Sequence, residues 1–106
     1  LINKGGEKIA PAEIDAALLL YCGVSDAMSF PVRHPVLGED IAAMVVRNRE
    51  SVSEKDLREF LLDRLQPAKI PRRFYFVGSI PKSAAGKPLR QEGTRMYGGQ
   101  EQEQSG

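Results

Sequence analysis

The 106-residue chain is 42% hydrophobic and 27% charged, enough apolar material for one compact domain and too little length for a second. Fifteen basic and fourteen acidic side chains leave a net charge of +1, which argues against the broad field of a nucleic-acid or anionic-membrane binder, so any anion site has to be local. One cysteine (Cys22) and one histidine (His34) exclude an internal disulfide and argue against a dedicated metal cage. No apolar run reaches the length of about 18 residues that suggests a membrane helix, and the N-terminus lacks the build of a signal peptide. The chain reads as cytoplasmic, with no transmembrane segment and no nucleic-acid partner. It starts abruptly on Leu1 and Ile2, as a piece of a longer protein would.

The first segment, 2–9, alternates in character across Gly5-Gly6, which predicts a tight hairpin. Pro11 suits the first helical position, where its missing N–H goes unused, and Glu13 and Asp15 suit the positive end of a helix dipole. Ile14, Ala17, Leu18 and Tyr21 recur at helical spacing, predicting a helix over 11–21 with Gly23 as its stop and Cys22 as a small core residue. Residues 27–32 and 41–46 read as neighbouring strands, joined by a segment turning at Pro35 and Gly38. Ser53 with Asp56 three residues on is a helix start, and Leu57, Phe60, Leu61 and Leu65 form one stripe until Pro67. Residues 73–77 predict a third strand buried on both faces. The fold class is therefore α+β, a small three-stranded sheet flanked by helices and preceded by a short β-hairpin. One domain covers 1–97, and 98–106, made only of Gly, Gln, Glu and Ser, reads as a disordered tail or an expression remnant.

Two segments carry chemistry. In Ile80-Pro81-Lys82-Ser83-Ala84-Ala85-Gly86-Lys87-Pro88-Leu89-Arg90, small residues allow close approach to a ligand. Gly86 frees the backbone, and Lys87 offers a compact charge suited to phosphate or carboxylate oxygens. Taken alone such a pair is more often a solvated turn, and the spacing is not that of a nucleotide-binding P-loop. Lys82 reads as solvated. Gly5-Gly6, taken alone, likewise reads as a turn and nothing more.

Four motifs in order change that reading. Gly6-x-x-Ile9-x-Pro11-x-Glu13-Ile14, His34-Pro35-x-Leu37-Gly38-Glu39, Lys69-x-Pro71 and Pro81-Lys82-Ser83-x-x-Gly86-Lys87-x-x-Arg90 together resemble the C-terminal domain of adenylate-forming enzymes. These are the acyl-CoA synthetases, firefly luciferase and the adenylation domains of peptide synthetases.

The resemblance implies part of a ligase that joins a carboxylic acid to AMP with ATP and Mg²⁺, then passes the acyl group to coenzyme A. It implies that Lys87 bridges the carboxylate and the α-phosphate, with Gly86 and Pro81 supporting its loop. It also implies that the domain rotates between half-reactions, bringing Gly5, Gly6, Glu7 and Lys8 to the tunnel taken by coenzyme A. Asn3 and Lys4 match loosely, and the His34 motif has a structural reason. ATP, Mg²⁺ and the acid would be held mainly by an N-terminal AMP-binding domain of the same polypeptide, so this piece alone would be inactive. Two alternatives stay open: an adenylation domain that loads a carrier protein, and a non-catalytic binding module of the same fold.

Overall fold

The computed structural model describes the backbone of residues 1–105 and the side chains of residues 1–98. Strands β1 (Ile2–Lys4) and β2 (Glu7–Ile9) form the opening hairpin, followed by α1 (Pro11–Leu19). The long strands β3 (Val24–His34) and β4 (Gly38–Arg47) come next, then α2 (Glu54–Leu62), a 3₁₀ turn at Pro67–Lys69, β5 (Arg73–Phe76) and α3 (Arg90–Ser105). The tail expected over 98–106 lies, in its side chains from residue 99 and in its backbone at residue 106, outside the described residues. No helix among the described residues is long and apolar enough to cross a membrane.

The sheet has five strands rather than three plus a separate hairpin. The antiparallel β3–β4 ladder runs from Val24↔Arg47 to His34↔Gly38. The hairpin joins the other edge of β4 through Lys4↔Gly38, while β5 pairs in parallel with Ala42–Val45 further along it. A reading from apolar runs leaves the hairpin detached because Lys4 and Gly38 are joined by backbone, to which hydropathy is blind. The long strands outrun their apolar centres for the same reason, since polar residues such as Arg33 still take part in the ladder.

Alternation along β4 explains its unbroken apolar run. Ile41, Ala43 and Val45 face a core closed by α1 and α2, while Ala42 and Met44 face a second cluster with Met28, Phe30 and Val32. Tyr97 packs on that second cluster and stacks on Tyr75, with ring centroids 3.9 Å apart. β5 meets both clusters but is only partly buried, correcting the fully buried strand, because it pairs on one side alone. Helix α3 was not legible as a helix. Its docking on β3 depends on Gly93, where an added Cβ would lie 2.6 Å from the Phe30 ring.

Local signals held where chemistry was local. Pro11 opens α1, and Ser53 and Asp56 form a reciprocal capping box at α2. Cys22 is exposed rather than in the core: α1 ends at Leu19, and the turn that follows buries Gly23 instead.

Candidate functional site

The glycine turn is built by the sheet. Lys4↔Glu7 is the last hairpin pair, so Gly5 and Gly6 alone make the reversal, with φ of 58° and 89°. Two successive positive φ values are what a tight two-residue hairpin turn requires, and L side chains resist them. Gly5 has a second constraint, since its Cβ would sit 3.1 Å from Leu37 Cδ2. Among the described residues nothing lies within 4 Å of a Cβ added at Gly6. Gly5, Gly6, Glu7 and Lys8 are all exposed.

The first two motifs meet at this turn, and the third is tied to the first through Glu13. Gly5 N–H donates to Leu37 O at 2.9 Å, and Asn3 N–H donates to Glu39 Oε1 at 2.7 Å. Lys4 Nζ lies 3.1 Å from Asp40 Oδ1 and donates to Ala68 O at 3.0 Å, so it is a tie between strands rather than a free cation for a ligand. Lys69 pairs with Glu13 at 3.0 Å. His34 Nδ1 accepts from Val36 and Leu37 N–H groups at 3.2 and 3.0 Å, which shapes the β3–β4 turn against which Gly5 rests.

The fourth motif lies elsewhere. Lys82↔Pro88 is a β-bridge, and Leu89 N–H donates to Pro81 O at 2.9 Å, closing the base of an exposed loop. Within it Ser83 N–H donates to Lys87 O, Gly86 N–H to Ser83 O, and Lys87 N–H to Ser83 Oγ. Gly86 has φ 84°, and Lys87 is exposed. Pro81 and Lys82 belong to the base of the loop, lining with Pro88, Leu89 and Arg90 a groove of about 540 Å³. Lys82 is not simply solvated, since its Nζ lies 2.6 Å from Asp26 Oδ2.

The register separates the two candidates. The glycine turn sits past the His34↔Gly38 end of the ladder, while Asp26, which holds Lys82, lies eight residue steps back along β3. At ~3.3 Å per residue that is about 26 Å. The loop's other foot, Arg90, is held at Ser29, five steps or about 16 Å from His34, so the Lys87 loop and the glycine turn are fastened to different stretches of the ladder and are not parts of one constellation.

Asp15 and Arg90 join elements in a way that sequence reasoning missed. Asp15 is buried, not a surface partner of the helix dipole. Its Oδ1 accepts from Ser29 N–H at 2.7 Å and lies 2.8 Å from Ser29 Oγ, and its Oδ2 is 2.7 Å from Arg90 Nη1. The signal available in the sequence was position: Asp15 follows Ile14 and precedes Ala17 and Leu18, on the buried part of the helix.

Comparison with known proteins follows the same outline. Residues 13–87 match the family model described as the AMP-binding enzyme C-terminal domain. The chain is 41% identical over 91 residues to oxalate–CoA ligase of Arabidopsis thaliana, covering 85% of this chain and 18% of the relative. It is 42% identical over 91 residues to sulfoacetate–CoA ligase of Cupriavidus necator, again covering 85% and 18%. Among solved structures, a Mycobacterium tuberculosis fatty acyl CoA synthetase superposes with TM-score 0.84 at 32% identity, over 92% of this chain and 20% of that one. The o-succinylbenzoate CoA synthetase of Bacillus subtilis, solved with an acyl-adenylate intermediate, gives 0.83 at 33% identity, over 87% and 19%. The chain thus spans about a fifth of the length of these relatives, and it belongs to the AMP-binding enzyme C-terminal domain family.

Proposed function

We propose that this chain is the mobile C-terminal domain of an acyl-CoA synthetase. In the whole protein a carboxylate oxygen attacks the α-phosphorus of ATP, giving acyl-adenylate and pyrophosphate. The thiol of coenzyme A then attacks the acyl carbon, releasing AMP. Relatives bearing the names of CoA ligases support coenzyme A rather than a carrier protein as acceptor.

Lys87 serves the first step. Attack brings a carboxylate against a polyphosphate, two anions that repel, and an ammonium between them orients the pair and offsets the charge. No general base is required, because the carboxylate is already ionised. Gly5 and Gly6 serve the second step, with Glu7 and Lys8 flanking them, by giving the thiol-bearing arm a wall of backbone with no Cβ. Mg²⁺ would be held, with ATP and the acid, mainly by the AMP-binding domain. A cytoplasmic location belongs to the same proposal, testable by fractionation.

The observation that carries this reading is that the glycine turn lies beyond His34 while the feet of the Lys87 loop are fastened at Asp26 and Ser29, on other stretches of the same strand. A domain that must present two different residues to one reaction centre in turn needs them far enough apart that one leaves when the other arrives. In the full-length protein, Lys87→Ala is expected to lower acid-dependent ATP–pyrophosphate exchange by about 10²–10³-fold. Thioester formation from supplied acyl-adenylate should stay within about threefold of the parent. Unchanged exchange would refute the assignment of Lys87.

A further inference from the structure

Strand β3 is an edge strand, and an edge leaves outward N–H and C=O groups without a ladder partner. Here side chains take those places. Asp15 accepts the Ser29 N–H, Arg90 Nη1 donates to Ser29 O at 2.9 Å, and Thr94 Oγ1 donates to Pro31 O at 2.7 Å. One guanidinium nitrogen thus binds both the carboxylate of α1 and the backbone of β3, three residues after Lys87. Ser29 is fully buried, and the Arg90 and Asp15 side chains are 26% and 11% exposed.

We propose that Asp15 and Arg90 are positioning residues for adenylation, a clamp that fixes the downstream foot of the Lys87 loop on the sheet. This rests on the assignment of Lys87 made above. The loop's upstream foot has the half-exposed Lys82–Asp26 pair and Ile80, which packs in the second cluster. Among the described residues its tip is held by bonds within the loop itself. The direction of Lys87 therefore depends on where Arg90 is pinned, and a displacement of about 1 Å at a reacting group can cost on the order of 10²-fold in rate. The glycine turn has separate anchors in buried Ile2 and Ile9, the Leu37 carbonyl and the Lys4 ties, none of which passes through Arg90. α1 likewise keeps Ile14, Ala17 and Leu18 in the core. Releasing the clamp should harm one half-reaction and spare the other.

The test uses the full-length protein with Arg90→Met, Asp15→Asn and Arg90→Lys beside Lys87→Ala, each measured in both half-reactions. Arg90→Met keeps the apolar stem without the guanidinium. Asp15→Asn turns one carboxylate oxygen into a donor facing other donors. Both should lower kcat for pyrophosphate exchange by about 10–100-fold with KM for ATP little changed, and leave thioester formation from supplied adenylate within about threefold. Arg90→Lys, which retains a cation able to reach Asp15, should recover most of the exchange. Parallel loss of both half-reactions in Arg90→Met and Asp15→Asn, with no recovery in Arg90→Lys, is what an ion pair serving stability alone would give, and would overturn the proposal. If Lys87→Ala abolishes exchange while Arg90→Met leaves it intact, the clamp fails and the role of Lys87 stands. If Lys87→Ala itself leaves exchange intact, the underlying assignment fails and the clamp with it.

Discussion

The glycine turn and the lysine loop are both exposed reversals containing positive-φ glycine, yet the chain holds them by opposite means. The turn is the end of a sheet hairpin, with its strands in register, a neighbouring turn bonded to Gly5, and Lys4 tied to two further segments. The loop leaves the sheet altogether, closes on itself through Ser83, and is fastened at its feet by side chains. A backbone wall for a passing ligand needs a fixed surface. A long cation that must reach between two anions needs a fixed base and a free end. The difference in anchoring matches the difference in proposed task.

The largest effect expected on this comparison comes from Gly93. With an added Cβ at 2.6 Å from the Phe30 ring, Gly93→Val must push α3 off the sheet, an overpacking cost of about 3 kcal/mol. Thermal denaturation of the chain should show a clearly lowered midpoint. Backbone hydrogen exchange should rise along β3 and in residues 81–97 while β1 and β2 stay protected. Uniform deprotection would mean that the two regions are not independently held.

Next in size is Gly6→Leu. No atom of the described residues lies within 4 Å of a Cβ there, so stability should fall by only about 1–2 kcal/mol, the cost of holding an L residue at φ 89°. In the full-length protein, thioester formation should slow about 10–100-fold with pyrophosphate exchange nearly unchanged, because the bulk intrudes only where coenzyme A passes. An equal fall in both would point to misfolding instead.

Ser53→Ala, remote from both regions, calibrates the scale: loss of the cap on α2 should cost about 1 kcal/mol with no change in either half-reaction. The box also has a pH signature. Asp56 has its pKa lowered, first by accepting the Ser53 backbone N–H and then by the Ser53 side chain. A carboxylate with a depressed folded-state pKa stabilises the fold above its unfolded value, and that contribution is lost as pH falls through the folded one. Ser53→Ala keeps the Ser53 backbone N–H, so the signature is read with Asp56→Ala, whose stability difference from the parent should hold at neutral pH and shrink below about pH 4.

Smallest is Lys82→Ala. The pair with Asp26 is 40% and 30% exposed, so solvent screening limits its worth to less than about 1 kcal/mol. Exchange activity should fall by no more than a few-fold if Arg90 is the main fastening, as proposed.

How much of this was legible in the sequence depended on where each interaction was encoded. The helix start at Ser53, the Pro11 helix and the Gly5-Gly6 turn are local, written within a few residues, and all three stand. The hairpin's attachment to Gly38, the burial of Asp15 and the placement of Arg90 are not local: Asp15 meets Arg90 across 75 positions. Helix α3 escaped because its buried contacts are made by Gly93, Thr94 and Tyr97, which carry no helical stripe of large apolar residues. Cys22 misled for the converse reason, an apolar run that stops being helical just before it. The order of the four motifs was readable, but that the glycine turn is held beyond His34 while the lysine loop is fastened at Asp26 and Ser29 was not.

The most direct test of that separation is a crossed assay of Lys87→Ala and Gly6→Leu in the full-length protein, each measured for pyrophosphate exchange and for thioester formation from supplied acyl-adenylate. Opposite selectivity is the expected result, with Lys87→Ala failing only in the first and Gly6→Leu only in the second. If both variants lose the same half-reaction, or each loses both equally, the turn and the loop do not serve separate steps.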